Sequence, residues 1–127
     1  MTPARMDRVE AAIRAALAFK DAFNSQDGAA MLGLLSEDCI VEGFAPAPDG
    51  AVYRGKGAIA GYYEDLFARF PDAQLKVEDV FGFCKRCIMH WKLEWGENRL
   101  RGVDIVRVEG KVICEVLSYA KSEEARS

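Results

Sequence analysis

The apolar pattern of this chain changes period once, and that change restricts the folds open to it. Up to Pro71 apolar residues recur at three- and four-residue steps, whereas from Gln74 onward they alternate with polar ones. Helices come first and an antiparallel meander follows, which is an α+β order. The first helix is predicted over about residues 7–23, where Val9, Ala12, Ile13, Ala16, Leu17, Phe19 and Phe23 make a broad apolar face that only Lys20 breaks. Asp27 is positioned to cap a short second helix carrying Met31, Leu32, Leu34 and Leu35, with Ser36-Glu37-Asp38 as its end. A strand over residues 39–44 leads into an irregular loop over residues 45–50, whose prolines and glycine suit the rim of a cavity. Tyr53-Arg54-Gly55-Lys56-Gly57 introduces a third helix, residues 58–70, rich in aromatics and stopped by Pro71. Strands are then expected over residues 75–83, 87–95, 99–108 and 112–120.

Asp104 stands out against this pattern. Alternation puts Leu100, Gly102, Asp104, Val106 and Val108 on one strand face, so a bare carboxylate lies on an apolar surface, where it finds a donor, meets water or takes up a proton. In the preceding strand Met89, Trp91, Leu93 and Trp95 share one side, and Ile88, His90, Lys92 and Glu94 the other. A two-residue turn at Gly96-Glu97 or Glu97-Asn98 pairs the first set with the face of Asp104 in either register. The face therefore lines a pocket that includes Met89, Trp91, Leu93, Trp95 and Gly102. The last strand divides into Ile113, Glu115, Leu117, Tyr119 and Val112, Cys114, Val116, Ser118, and periodicity does not say which set faces inward.

With 127 residues, half of them apolar, the chain fits a single domain over 1–127, with a core over about 9–121 and a frayed tail over 122–127. A net charge of −3 without like-charge runs offers no footprint for nucleic acid or anionic lipid, and no stretch reaches membrane-spanning length. A cytoplasmic location follows. Cys84-Lys85-Arg86-Cys87 has metal or redox spacing, but no second close pair of Cys or His completes a zinc site. The four cysteines, Cys39, Cys84, Cys87 and Cys114, are read as reduced thiols, with a reversible Cys84–Cys87 disulfide as the alternative. No phosphate loop, dinucleotide fingerprint or Ser-His-Asp set is present, so neither metal nor nucleotide cofactor is expected.

The order of Tyr53-Arg54-Gly55-Lys56-Gly57-Ala58-Ile59, then Phe70-Pro71-Asp72, then Arg101-Gly102-Val103-Asp104-Ile105-Val106-Arg107, with Gly110-Lys111-Val112 and Tyr119, resembles the nuclear transport factor 2-like superfamily. This superfamily includes SnoaL-like polyketide cyclases, ketosteroid isomerases and limonene epoxide hydrolase. The resemblance covers about residues 9–121. It implies a cone-shaped curved antiparallel sheet with the N-terminal helices on its concave face. It further implies that Glu115, Leu117 and Tyr119 share the pocket with Asp104, and that Phe19, Tyr53, Tyr62 and Tyr63 line it. The outer sheet face, carrying Ile88, Val103, Ile105, Val112, Cys114 and Val116 with His90 beside them, would form a homodimer.

The general base of ketosteroid isomerase falls on Gly43 and its oxyanion tyrosine near Phe19, while one aspartate of limonene epoxide hydrolase falls on Leu117. Asp104 resembles the single acid/base aspartate of SnoaL-like cyclases. That resemblance implies a cofactor-independent isomerase, cyclase or dehydratase acting on a small apolar carbonyl compound. Asp104 would be the base, Tyr53, Tyr62, Tyr63 or Tyr119 the donor, and Glu115 a carboxylate that raises the Asp104 pKa. Two other functions stay open: a binder of a hydrophobic metabolite that does no chemistry, and a dimeric interaction module with a vestigial pocket. Purely structural roles also remain, in which Asp104 pairs with Arg54, Lys92, Arg107 or a tyrosine and Glu115 pairs with Lys111.

Overall fold

The computed structural model describes residues 3–46 and 48–121, so the expected frayed tail, 122–127, lies outside the described residues. The elements are α1 (Pro3–Asn24), α2 (Gly28–Gly33), β1 (Leu35–Glu42), β2 (Val52–Arg54), α3 (Gly55–Arg69), β3 (Gln74–Phe83), β4 (Arg86–Trp95), β5 (Asn98–Glu109) and β6 (Val112–Ala120). They build one six-stranded curved sheet in the order β2-β1-β6-β5-β4-β3, with α1 and α3 packed on one face. The expected meander is β3 to β6, antiparallel throughout, whereas β1 joins β6 in parallel.

Local chemistry accounts for the joints. Ala12, Ala15, Ala16 and Ala22 are buried on α1, so small side chains let the helix lie close to the strands while Phe19 and Phe23 reach past them into the core. Asn24 ends α1 by clamping β3: its Nδ2 donates to the Leu75 carbonyl at 2.9 Å and its Oδ1 accepts from the Leu75 amide at 2.7 Å. Asp27 caps α2 as expected, accepting from the Ala30 amide at 3.0 Å.

Two boundaries differ from the sequence reading. Ser36-Glu37-Asp38 belongs to β1 rather than to a helix end, because Leu35 pairs with Ile113 and Ile40 with Glu115, so the polar run is absorbed as an irregularity in the strand. A short strand, β2, also precedes α3. It pairs with Val41 and Glu42, and the chain enters the helix through Gly55 at φ 82.

The turn between β4 and β5 is the Gly96-Glu97 alternative, with Trp95 opposite Asn98. Its register places Met89 opposite Asp104, Trp91 opposite Gly102 and Leu93 opposite Leu100, the pairing expected from alternation. Between β5 and β6 the register slips. Val108 faces Ile113 but Arg107 faces Glu115, leaving Cys114 as an extra residue whose thiol turns to the Arg107 carbonyl at 3.3 Å. Beyond this bulge Val116 lies opposite Val106 and Ser118 opposite Asp104.

The bulge corrects the assignment of the last strand. An unbroken ladder from Glu109 and Val112 would have set Leu117 beside Asp104, with Glu115 and Tyr119 on the same face. Instead Glu115, Leu117 and Tyr119 lie on the outer face. Tyr119 is 51 % exposed, and Glu115 sits 3.8 Å from the Arg107 guanidinium. Val116, expected outside, is fully buried.

Gly102 holds the sheet close to Trp91. A Cβ there would overlap the Tyr119 carbonyl oxygen and stand 2.5 Å from Cζ2 of Trp91. Gly102→Ala is expected to destabilise the fold by about 1–3 kcal/mol, the usual cost of overpacking. Gly61→Ala, at an exposed position in α3 with no atom within 4 Å of the new carbon, is expected to stabilise it by about 0.5–1 kcal/mol. Urea denaturation of the two variants measures both signs.

Candidate functional site

The site is built where β4, β5 and β6 pass under α1 and α3. Asp104 is buried at 9 % exposure, and both of its hydrogen bonds end on one oxygen. Trp91 Nε1 donates to Oδ1 at 2.9 Å and Ser118 Oγ donates to it at 2.6 Å. Among the described residues none of the expected partners Arg54, Lys92 and Arg107 pairs with Asp104; Arg107 turns to Glu109 and Glu115, and Lys20, which borders the same chamber, turns its ammonium to Asp21 at 2.6 Å. Burial therefore raises the Asp104 pKa, and the Ser118 and Trp91 hydrogen bonds counter it only in part.

Asp104 opens onto an inner chamber of about 50 Å³, bordered among others by Phe19, Tyr63, Met89, Trp91 and Ser118. That is room for a few water molecules. Outside it lies a cleft of about 390 Å³ whose walls include Tyr53, Phe70, Trp95 and Leu100, with Asp65 and Arg69 among its lining residues. Phe44, Tyr62, Leu66 and Leu93 border both spaces. The wall is aromatic and ordered by ring contacts: Tyr53 stacks on Tyr62 with centroids 4.5 Å apart, Tyr62 meets Tyr63 at 4.8 Å, and Phe44 leans on Trp91 at 5.9 Å.

Burial is also the main cause of the high phenol pKa values, about 12 for Tyr62 and well above 10.0 for Tyr63; the Asp104 charge adds to both. The phenols are therefore neutral donors at ordinary pH. A Cβ on Gly43 would lie 3.0 Å from the Tyr62 hydroxyl, so the tyrosine occupies the space in front of that glycine.

Of the residues expected at the site, the structure brings Asp104, Phe19, Tyr62, Tyr63, Met89, Trp91 and Leu93 to the inner chamber, and Tyr53 and Trp95 to the outer cleft. Glu115, Leu117 and Tyr119 stand on the other side of the sheet. Gly102 borders a separate hollow of about 600 Å³ that also includes His90, Val103 and Tyr119. Ser118 is the polar group that sequence reasoning passed over. Its signal was a hydroxyl in the otherwise apolar set Val112, Cys114 and Val116, but that signal becomes meaningful only once the bulge is known.

His90 is on the outer face as expected, with the Phe81 ring 6.2 Å away. Among the described residues no disulfide is formed, and burial pushes Cys39 and Cys87 each up to about 11. Among the described residues no three His, Cys, Asp or Glu side chains are grouped to hold a metal ion, and no helix is long and apolar enough to cross a membrane.

The sheet order, the helices on one face and the inward aspartate define an α+β protein of the nuclear transport factor 2-like type. The chain belongs to the SnoaL-like domain family, which it matches over residues 16–116. Among solved structures it is similar to a nuclear transport factor 2-like protein of unknown function from Mesorhizobium loti, with 31 % identity, TM-score 0.79, and 91 % of this chain and 94 % of that one covered. It is also similar to a candidate ketosteroid isomerase from Kribbella flavida, with 20 % identity, TM-score 0.78, and coverage of 94 % and 84 %. A third is an epoxide hydrolase of the LEH-like kind from M. tuberculosis, with 19 % identity, TM-score 0.73, and coverage of 89 % and 84 %. The last two likenesses are of fold alone. No curated protein matches the chain.

The sign of the Asp104 shift sets a pH dependence. A carboxyl whose folded pKa lies above its unfolded value of about 3.9 favours the folded state at low pH, and that contribution is lost as pH rises through the folded value. Asp104→Asn keeps an Oδ1 acceptor for Trp91 and Ser118 but cannot ionise. The variant is expected to be the more stable form at neutral pH, its advantage growing upward from the unfolded pKa by about 1.4 kcal/mol per unit of elevation. Denaturant titrations of both proteins across the acid range check this, and equal stability at every pH would contradict the assigned burial penalty.

Proposed function

We propose that this protein takes a small apolar carbonyl compound into the cone and moves a proton on it with Asp104, as a cofactor-independent isomerase, cyclase or dehydratase. One observation carries the reading: a buried carboxylate without a cationic partner among the described residues faces an aromatic chamber, and its two donors are gathered on a single oxygen. Such a group is oriented by Oδ1 and accepts a proton at Oδ2. Its raised pKa brings it nearer the working pH, where a general base is most effective. Compounds of this class fit the 390 Å³ cleft, and movement of Phe44 between cleft and chamber would carry the reacting carbon to the carboxylate.

A binder that does no chemistry is the second reading, favoured by the 50 Å³ of the inner chamber, too little to admit a ligand without rearrangement. Proton exchange at carbon separates the two. In deuterated water the protein is expected to speed loss of the α-protons of at least one of acetophenone, cyclohexanone and camphor, followed by NMR. Asp104→Asn should lower that rate by about 10²–10⁴-fold, the usual contribution of a general base. Ligand shifts on binding with no exchange in either protein would select the carrier.

We also propose that the outer face pairs with a second copy of the chain. Phe81, Ile88, Ile105 and Leu117 make a cross-strand apolar row over four strands, and Phe81 is 48 % exposed. Sedimentation should show a dimer that Ile105→Lys converts to monomer, whereas a monomeric wild type would remove this part of the proposal. Cys39 and Cys87, packed in the core as small apolar side chains, suit a reducing compartment, and a cytoplasmic location belongs to the same reading.

A further inference from the structure

The sequence leaves four tyrosines open as the donor, and the position of Tyr62 separates it from the other three. Of the four residues that border both cleft and chamber, three are Phe44, Leu66 and Leu93, so Tyr62 is the one hydrogen-bonding side chain on the boundary. Its ring is held by Tyr53 on one side, stacked at 4.5 Å, and by Tyr63 at 4.8 Å. Its hydroxyl has no hydrogen-bond partner among the described residues and is not sealed from the pocket. Gly43 makes the room for it, since any side chain there would start 3.0 Å from the phenol oxygen. A phenol at the boundary between cleft and chamber is placed to donate to an acceptor arriving through the cleft.

We infer that Tyr62 reads the ligand, donating a hydrogen bond to a carbonyl oxygen that enters first while the hydrocarbon body stays in the cleft against Phe70, Trp95 and Leu100. The inference rests on the cleft being the ligand site and deepens that reading by fixing the ligand's direction and chemical class. The ligand carries one oxygen acceptor at its inner end and no charge there. An anion at that end would meet the uncompensated Asp104 carboxylate beyond Tyr62, and a pure hydrocarbon would leave the phenol desolvated without a partner. The neutral phenol, with a pKa of about 12, stays a donor over the whole range in which the protein would work.

The test compares acetonaphthone with ethylnaphthalene, which have nearly the same shape and differ in the carbonyl. Wild-type protein, titrated by ligand fluorescence, is expected to prefer the ketone by roughly five- to tenfold, the effect of one net hydrogen bond. Tyr62→Phe keeps the stacked ring and should bring the ratio close to one while leaving the hydrocarbon's affinity within about twofold. Gly43→Ala should reduce the preference by a separate route, because the new methyl displaces the hydroxyl. In the infrared, the bound carbonyl stretch should lie lower in wild type than in Tyr62→Phe.

A preference that survives Tyr62→Phe overturns the inference and leaves the proposed function standing, since α-proton exchange by Asp104 is read independently. Binding of neither compound to wild type overturns the inference, and the proposed function falls with it when α-proton exchange is absent as well. Asp104→Asn should keep the ketone preference, and its loss there would assign the recognition to Asp104 instead of Tyr62.

Discussion

The hydrogen bond from the Trp91 indole to Asp104 is the contact around which the concave face is arranged. It exists because Trp91 and Gly102 are cross-strand neighbours and Gly102 has no side chain, so the six-membered edge of the indole lies over the glycine. The N–H then reaches Oδ1 of Asp104, two residues further along β5. Ser118 completes the pair of donors from β6. Three strands thus converge on one carboxylate oxygen, and a change at any of them moves the group that gives the cone its polarity.

That carboxylate costs stability, and among the described residues no ion pair offsets the cost. The described ion pairs lie elsewhere: Lys76 with Glu94, Lys85 with Glu109 and Arg101 with Glu78 join partly exposed side chains on or beside the sheet. Pairs of that kind contribute about 0–1 kcal/mol each. Two donor hydrogen bonds to Asp104 counter its desolvation only in part, so the net shift is upward. A core designed for stability alone would place an apolar residue on this face of β5, as at Val106 and Val108. The retained carboxylate is the departure from packing logic that singles the site out.

Most of the fold was legible because it follows from local patterning. The change from helical to alternating period, the caps at Asp27 and Pro71, and the two-residue turn at Gly96 each act over a few residues, and β4 and β5 paired with the expected parity. Asp104 was legible for the same reason, as a charge in an apolar set. The far side of the site was not legible. One extra residue at Cys114 reverses the parity of β6, exchanging Ser118 for Leu117 opposite Asp104, and removes Glu115 and Tyr119 from the pocket. Alternation cannot locate such a bulge, since Cys114 and Glu115 are acceptable on either face and the apolar residues Ile113 and Val116 appear in opposite sets. The parallel pairing of β1 is equally hidden, because it joins segments more than seventy residues apart whose register no turn fixes.

Gly43 and Tyr62 show how one cone can be given a different polar layout without altering its frame. The position at which the resemblance to ketosteroid isomerase would put a base on the β1 side is bare, and the space before it is filled from α3 by a phenol. A carboxylate at Gly43 would have met the Tyr62 ring, which occupies that space, and a second acid near Asp104 would oppose its ionisation. The tyrosine avoids that conflict. It is neutral, it donates where Asp104 accepts, and its ring doubles as wall between Tyr53 and Tyr63. The pocket is consequently asymmetric, with an acceptor on the sheet and phenol donors on the helix. An asymmetric pair of this kind suits a carbonyl compound whose oxygen and neighbouring carbon make opposite demands on the protein.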